Sequence, residues 1–202
     1  MNEILPGLWH WSAHHPPIGL PVSSYFVEPA RAVLDPKIPE EGLDAAFADR
    51  PRPEQVVLTS GHHLRDSRAF AETFGIPIRA SRGAIEHLGD EGEGIEPFED
   101  GDVVAPGMTA IHVGVLAPDE GALHVTGVGD GALALADAAH LYGDDPGFFR
   151  DSLLGDDPEQ VKQGLKDQLR ALLELDFDAL LFAHGHPIAR GGKAALREFA
   201  GS

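Results

Sequence analysis

An α+β sandwich, two β-sheets packed face to face with helices on their outer faces, is the fold class this sequence predicts, on three observations. Each half of the chain opens on β-type segments before a helix appears. The helical segments that follow are amphipathic, so each needs a surface to cover. A sheet likewise must bury a face, and packing the two sheets together with helices outside satisfies both needs. A doubly wound parallel sheet is the alternative, and the β-only openings of both halves count against it. The 202 residues suffice for one sizeable core and are read as a single domain, residues 1–202.

The first third gives short strands, "GLWHWSA", "SSYFVEP" and "RAVLDP", separated by Gly, Pro and Ser turn chemistry. "EEGLDAAFADR" has helical spacing and is stopped by "PRP"; "QVVLTS" is then a short buried strand. "SRAFAETFG" places Phe70 and Phe74 on one helical face and ends at Gly75 before the strand "IPIRAS". "GDVVAPGMTAIHVG" and "GALHVTGVGDGALAL" supply a second sheet. The clearest helix follows, opened by Asp157 as cap with Pro158 in the first turn, its Val161, Leu165, Leu169 and Leu172 forming a core stripe. "ALLFAHGHP" is another buried strand, and "GGKAALREFAG" a closing helix.

Composition narrows the function. The 33 acidic and 15 basic residues give a net charge of -18, which repels nucleic acid and anionic membranes. No apolar run is long enough to span a bilayer. The start, "MNEILPGLWHW", does not resemble a secretory signal, so the expected address is the cytoplasm. With no cysteine, disulfides, thiolate metal sites and cysteine nucleophiles are excluded, and any metal must rest on nitrogen and oxygen. Gly-x-Ser-x-Gly is absent too, which removes the simplest serine hydrolase.

Three apolar strands end in metal-capable residues: "LTSGHHLRDS", "VTGVGDGAL" and "LLFAHGHP". Should those strand ends converge, His62, His63, Asp66, Asp130 and His184 would meet in one pocket. The bland alternatives are that His62 and His63 are turn residues before a helix capped by Asp66 or Ser67, that Asp130 closes a hairpin, and that His184 is a buried histidine bonded to a carbonyl. His14 and His15 fall in a proline-rich loop.

Over nearly its whole length the chain resembles the metallo-β-lactamase fold superfamily. "AVLDP" is similar to the family's strand ending in aspartate, "GHHLRDS" sits where its His-x-His-x-Asp-His loop lies, "VTGVGDGAL" resembles the strand bearing its bridging aspartate, and "FAHGHP" its late Gly-His-Gly segment. The resemblance implies an αββα sandwich of two mixed sheets, with hydrolysis at zinc or iron. The motif is degenerate in either register. If Asp66 takes the motif's aspartate, His62 matches its first histidine and Leu64 and Ser67 replace two others; if "LT" fixes the register, His62 falls on the second histidine and Ser60, Leu64 and Arg65 take other ligand positions. Leu116 stands where the middle histidine belongs, with His112, four residues earlier, or Glu120, just later, as the replacement donor that the resemblance implies. The expectation is a metallo-hydrolase with a reduced, mononuclear site acting on a small ester, amide, thioester or phosphoester. In it Asp66 orients the nucleophile, and Arg65 and Glu120 contact substrate. The rival is a metal-depleted relative serving as a binding module.

Overall fold

The computed structural model describes residues 1–201 and contains two sheets. The first holds seven strands in sequential order: β1 (Asn2–Leu5), β2 (Leu8–His15), β3 (Leu20–Val27), β4 (Ala32–Leu34), β5 (Gln55–Val57), β6 (Ile78–Ser81) and β7 (Glu96–Phe98). Its first four are antiparallel and the pairs from β4 to β7 parallel. The second sheet runs β12-β11-β10-β9-β8, from β8 (Val103–Ala105), β9 (Met108–His112), β10 (Gly121–Val125), β11 (Ala132–Leu135) and β12 (Ala179–Phe182). Only β11 and β12 pair in parallel there. Both sheets are therefore mixed.

Why the central strands read as unbroken apolar runs is clear from where alternate residues point. Ala32 and Leu34, Val57, Ala132 and Ala134, and Ala179 and Leu181 enter the core between the sheets. Their neighbours Val33 and Val56 face outward against α1 (Leu43–Ala46), α2 (Ser67–Phe74) and α3 (Arg82–Leu88), where Phe47, Phe70 and Ala84 cover them. On the other side Leu133, Leu135, Leu180 and Phe182 pack under α4 (Pro158–Leu172) and α5 (Gly192–Gly201). A strand covered on both faces has no polar side to alternate with. The four layers are thus α, β, β and α.

Local signals account for the element ends. Asp157 accepts a bond from the Gln160 amide at 3.0 Å, and Pro158 begins α4 as the spacing predicts. Gly75 closes α2 in the left-handed region. The helix expected over 40–50 shrinks to four residues, because Gly42 at φ 79° delays it and the Arg50 guanidinium caps the Ala46 carbonyl at its end. Three elements carried too little sequence signal to be expected: β1, β7, and α3, whose N-cap Ser81 accepts from the Ala84 amide at 3.1 Å.

Candidate metal centre

The parallel register of β11 and β12 sets Leu135 opposite Phe182. Two residues beyond each strand stand Asp137 and His184, so the register itself brings them side by side. Across the sandwich, Asp35 follows β4 and Thr59 follows β5, again parallel neighbours. After Thr59 the chain makes a 3-10 turn, Gly61–His63, capped by the Ser60 hydroxyl, which turns His63 inward. The ends of β5, β11 and β12 thus deliver His63, Asp137 and His184 to one point, with ligand atoms all within 4.8 Å of one another. Asp137 Oδ1 lies 3.4 Å from His63 Nε2 and 3.2 Å from His184 Nε2.

His63 is fixed from behind. Asp35 is 4 % exposed and accepts the Thr59 amide at 2.8 Å and the Thr59 hydroxyl. Its Oδ2 meets His63 Nδ1 at 3.1 Å, and Thr59 Oγ1 lies 3.0 Å from the same nitrogen. His63 Nε2 is left facing Asp137. Both that nitrogen and Asp137 Oδ1 are buried, and they face each other as an ion pair at 3.4 Å without a well-formed hydrogen bond.

Burial and the nearby Arg65 act to depress the His63 pKa, but Asp137 and Asp35 prevail and lift it to about 9. Burial opposes ionisation of Asp35 and Asp137, yet the facing His63 holds both carboxyls below their ordinary range, Asp137 well below. His184 moves the other way, lowered by burial. Behind the centre Glu120, 1 % exposed, accepts the Asp137 amide at 3.0 Å and the Leu116 amide at 3.3 Å. Burial, with Asp137 nearby, pushes its carboxyl up to about 7.

Arg65 also enters the site, while its neighbour Leu64 packs outward with the α1–α3 layer. The Arg65 guanidinium donates to the carbonyls of Ser23 at 2.7 Å, Asp35 at 2.8 Å and Ala183 at 3.3 Å. Arg65 and Asp35 have φ of 43° and 44°, a region non-glycine residues rarely occupy. Such backbone persists only where its surroundings over-determine it; here three carbonyls do so for Arg65 and the Thr59 bonds for Asp35.

Of the residues singled out in the sequence, His63 and His184 reach the centre and Arg65 lies beside it. Glu120 supports the Asp137 segment. The others stand apart. His62 is exposed, its ring edge-on to His87 at 4.2 Å. Asp66 is engaged by the Lys37 ammonium at 2.7 Å and the Ile38 amide at 2.8 Å, an ion pair outside the cluster that leaves it no part in orienting a nucleophile there. His112 is exposed at the end of β9, and Asp130 lies in the exposed turn between β10 and β11. The aspartate in the cluster is Asp137, seven residues later. "ALALAD" carried the signal that could have found it, an apolar strand closed by an acid as in "AVLD", but the glycine-flanked Asp130 drew the reading instead.

No protein-family model matches the sequence, and no curated protein does. Solved structures are similar to it. A metallo-beta-lactamase family protein from Thermus thermophilus matches with a TM-score of 0.66 at 17% identity, over 98% of this chain and 80% of that one. A protein crystallised in a di-iron-bound form gives 0.64 at 22% identity, over 92% and 96%. A flavoprotein from Thermotoga maritima gives 0.64 at 16%, over 95% of this chain but 57% of its own, so this chain spans little more than half its length. Such identities show the fold alone: the chain has the metallo-β-lactamase fold.

Proposed function

We propose that this chain is a metallo-hydrolase that holds a single zinc or iron ion on His63, Asp137 and His184 and cleaves a small ester, amide, thioester or phosphoester. The observation that carries this is the convergence of buried donor atoms: His63 Nε2 and Asp137 Oδ1, facing each other at 3.4 Å without a well-formed hydrogen bond, aimed at one point with His184 Nε2 beside them. Two imidazoles and one carboxylate are a donor set that both zinc and non-haem iron accept. When bound, such an ion activates water as a nucleophile and polarises the scissile oxygen.

The protein's own groups define the rest. Asp35 holds His63 with its Nδ1 hydrogen turned away from the centre, so that Nε2 presents a lone pair once the imidazolium gives up its second proton. Arg65 places a permanent positive charge beside the carboxylates. That charge disfavours a second divalent cation and favours an anionic substrate group or developing oxyanion. The Asp137 and His184 side chains are only 20% and 10% exposed, an opening suited to the reactive end of a small molecule.

A second reading is supported by Arg65 and His63 themselves. A protonated His63 together with Arg65 balances Asp35 and Asp137 in charge, so the pocket is electrostatically complete with a proton in place of a metal. The chain would then be a metal-depleted binding module. Elemental analysis of protein purified without added metal, followed by zinc titration with melting temperature as readout, separates the two. A hydrolase is expected to bind one equivalent, to melt higher with it, and to lose turnover of an ester panel in His184→Ala. No metal and a melting temperature indifferent to chelator would leave the binding module.

A further inference from the structure

We propose that Tyr142 is the positioning residue of His184: its hydroxyl, 3.2 Å from His184 Nδ1, accepts the Nδ1 hydrogen and so turns the Nε2 lone pair toward Asp137 and the ion. This rests on the metal reading above. Whereas His63 has a buried carboxylate behind it, among the described residues no acid bonds His184 Nδ1 and the Tyr142 hydroxyl is its hydrogen-bond partner. An imidazole ligand needs such an acceptor on its other nitrogen to fix its tautomer and ring orientation.

The surrounding segment is built for this contact. Residues 140–147 form a closed loop, His140 and Gly147 exchanging both backbone bonds at 2.9 Å, with His140 Nε2 a further 3.1 Å from the Phe148 carbonyl. The loop is tied to the strand carrying His184, since the Leu141 amide donates to the His184 carbonyl at 3.0 Å and the His186 amide to the Leu141 carbonyl at 2.9 Å. Rings complete it: Phe149 meets the His184 ring edge-on at 5.5 Å, and His140 packs against both Tyr142 and Phe149 at 5.0 Å. Tyr142 and Phe149 therefore restrain a single imidazole between them. Tyr142 is itself 40% exposed, so its loss removes a hydroxyl without opening the core.

Tyr142→Phe keeps the ring and deletes only the hydroxyl. In the full chain, zinc affinity measured by competition with a chromophoric chelator is expected to fall about 10–100-fold, while the metal-free variant melts with the wild type. Long-range proton–nitrogen NMR of the zinc-loaded wild type should show His184 carrying its hydrogen on Nδ1. Equal zinc affinity in Tyr142→Phe overturns the assignment and leaves the metal reading standing, whereas a hydrogen on Nε2 in the loaded protein overturns both the assignment and ligation through that nitrogen. Failure of the wild type to bind zinc at all would instead overturn the metal reading, and this assignment with it.

Discussion

Zinc held as proposed would have to compete with a proton for His63 at neutral pH. Metal-free, Asp137 and Asp35 keep that imidazole's pKa at about 9 against burial and Arg65, whereas ligation through Nε2 requires it neutral. At pH 7 the deprotonation costs roughly 3 kcal/mol, equivalent to an affinity lowered ~100-fold. Zinc affinity should accordingly rise about tenfold per pH unit between roughly pH 6.5 and 8.5, with about one proton released per ion, and level off as the pH nears 9. Asp35→Asn removes one of the two carboxylates that retain the proton, so its plateau should begin at lower pH. Calorimetric titration in two buffers of different ionisation enthalpy counts the protons directly. An affinity indifferent to pH, with no proton released, would show that His63 is already neutral and that the charge balance drawn here is wrong.

The same linkage governs stability. His63 is raised above its unfolded value, so its contribution to the metal-free fold is complete below about pH 6.5 and lost as the pH rises through 9. His10 behaves oppositely: burial, then His186, lowers it to about 4, so its contribution is present above about pH 6.5 and lost as the pH falls through 4. Metal-free melting temperature should therefore peak between these limits, and His10→Gln should flatten the acid side. Gly185→Ala would drive a Cβ into the Leu141 carbonyl oxygen at φ 94°; more than about 2 kcal/mol should be lost in urea unfolding, with zinc affinity falling because His184 moves. Leu169→Ala, on the fully buried face of α4, should cost about 2–5 kcal/mol by the same assay without altering zinc affinity.

The layers were legible because burial on both faces leaves a trace in composition: "AVL", "ALAL" and "ALLF" each lack a polar side. The late helix announced itself through Asp157, Pro158 and its leucine stripe. The site was only half legible. His184 could be found because it ends such a strand two residues beyond the ladder. His62 and His63 are adjacent, and a 3-10 turn decides which points inward, a choice made by the Ser60 cap rather than by residue type. Asp66 looked catalytic beside the histidines, yet Lys37, 29 residues earlier, claims it. Tyr142 carried no motif at all; its role follows from a loop that folds back onto β12's end, a long-range fact no local pattern records.

Arg65 joins carbonyls of Ser23 and Asp35 in one sheet to Ala183 in the other, and the Tyr25 hydroxyl, 2.8 Å from the Phe182 carbonyl and 3.1 Å from its amide, spans the same gap. The rim that carries His63, Asp137 and His184 is consequently also the seam of the sandwich. Nothing can pry the two halves apart there and leave the pocket assembled, so a probe at the rim and the far-ultraviolet signal should trace a single melting curve, with no earlier phase in which the centre alone dissolves.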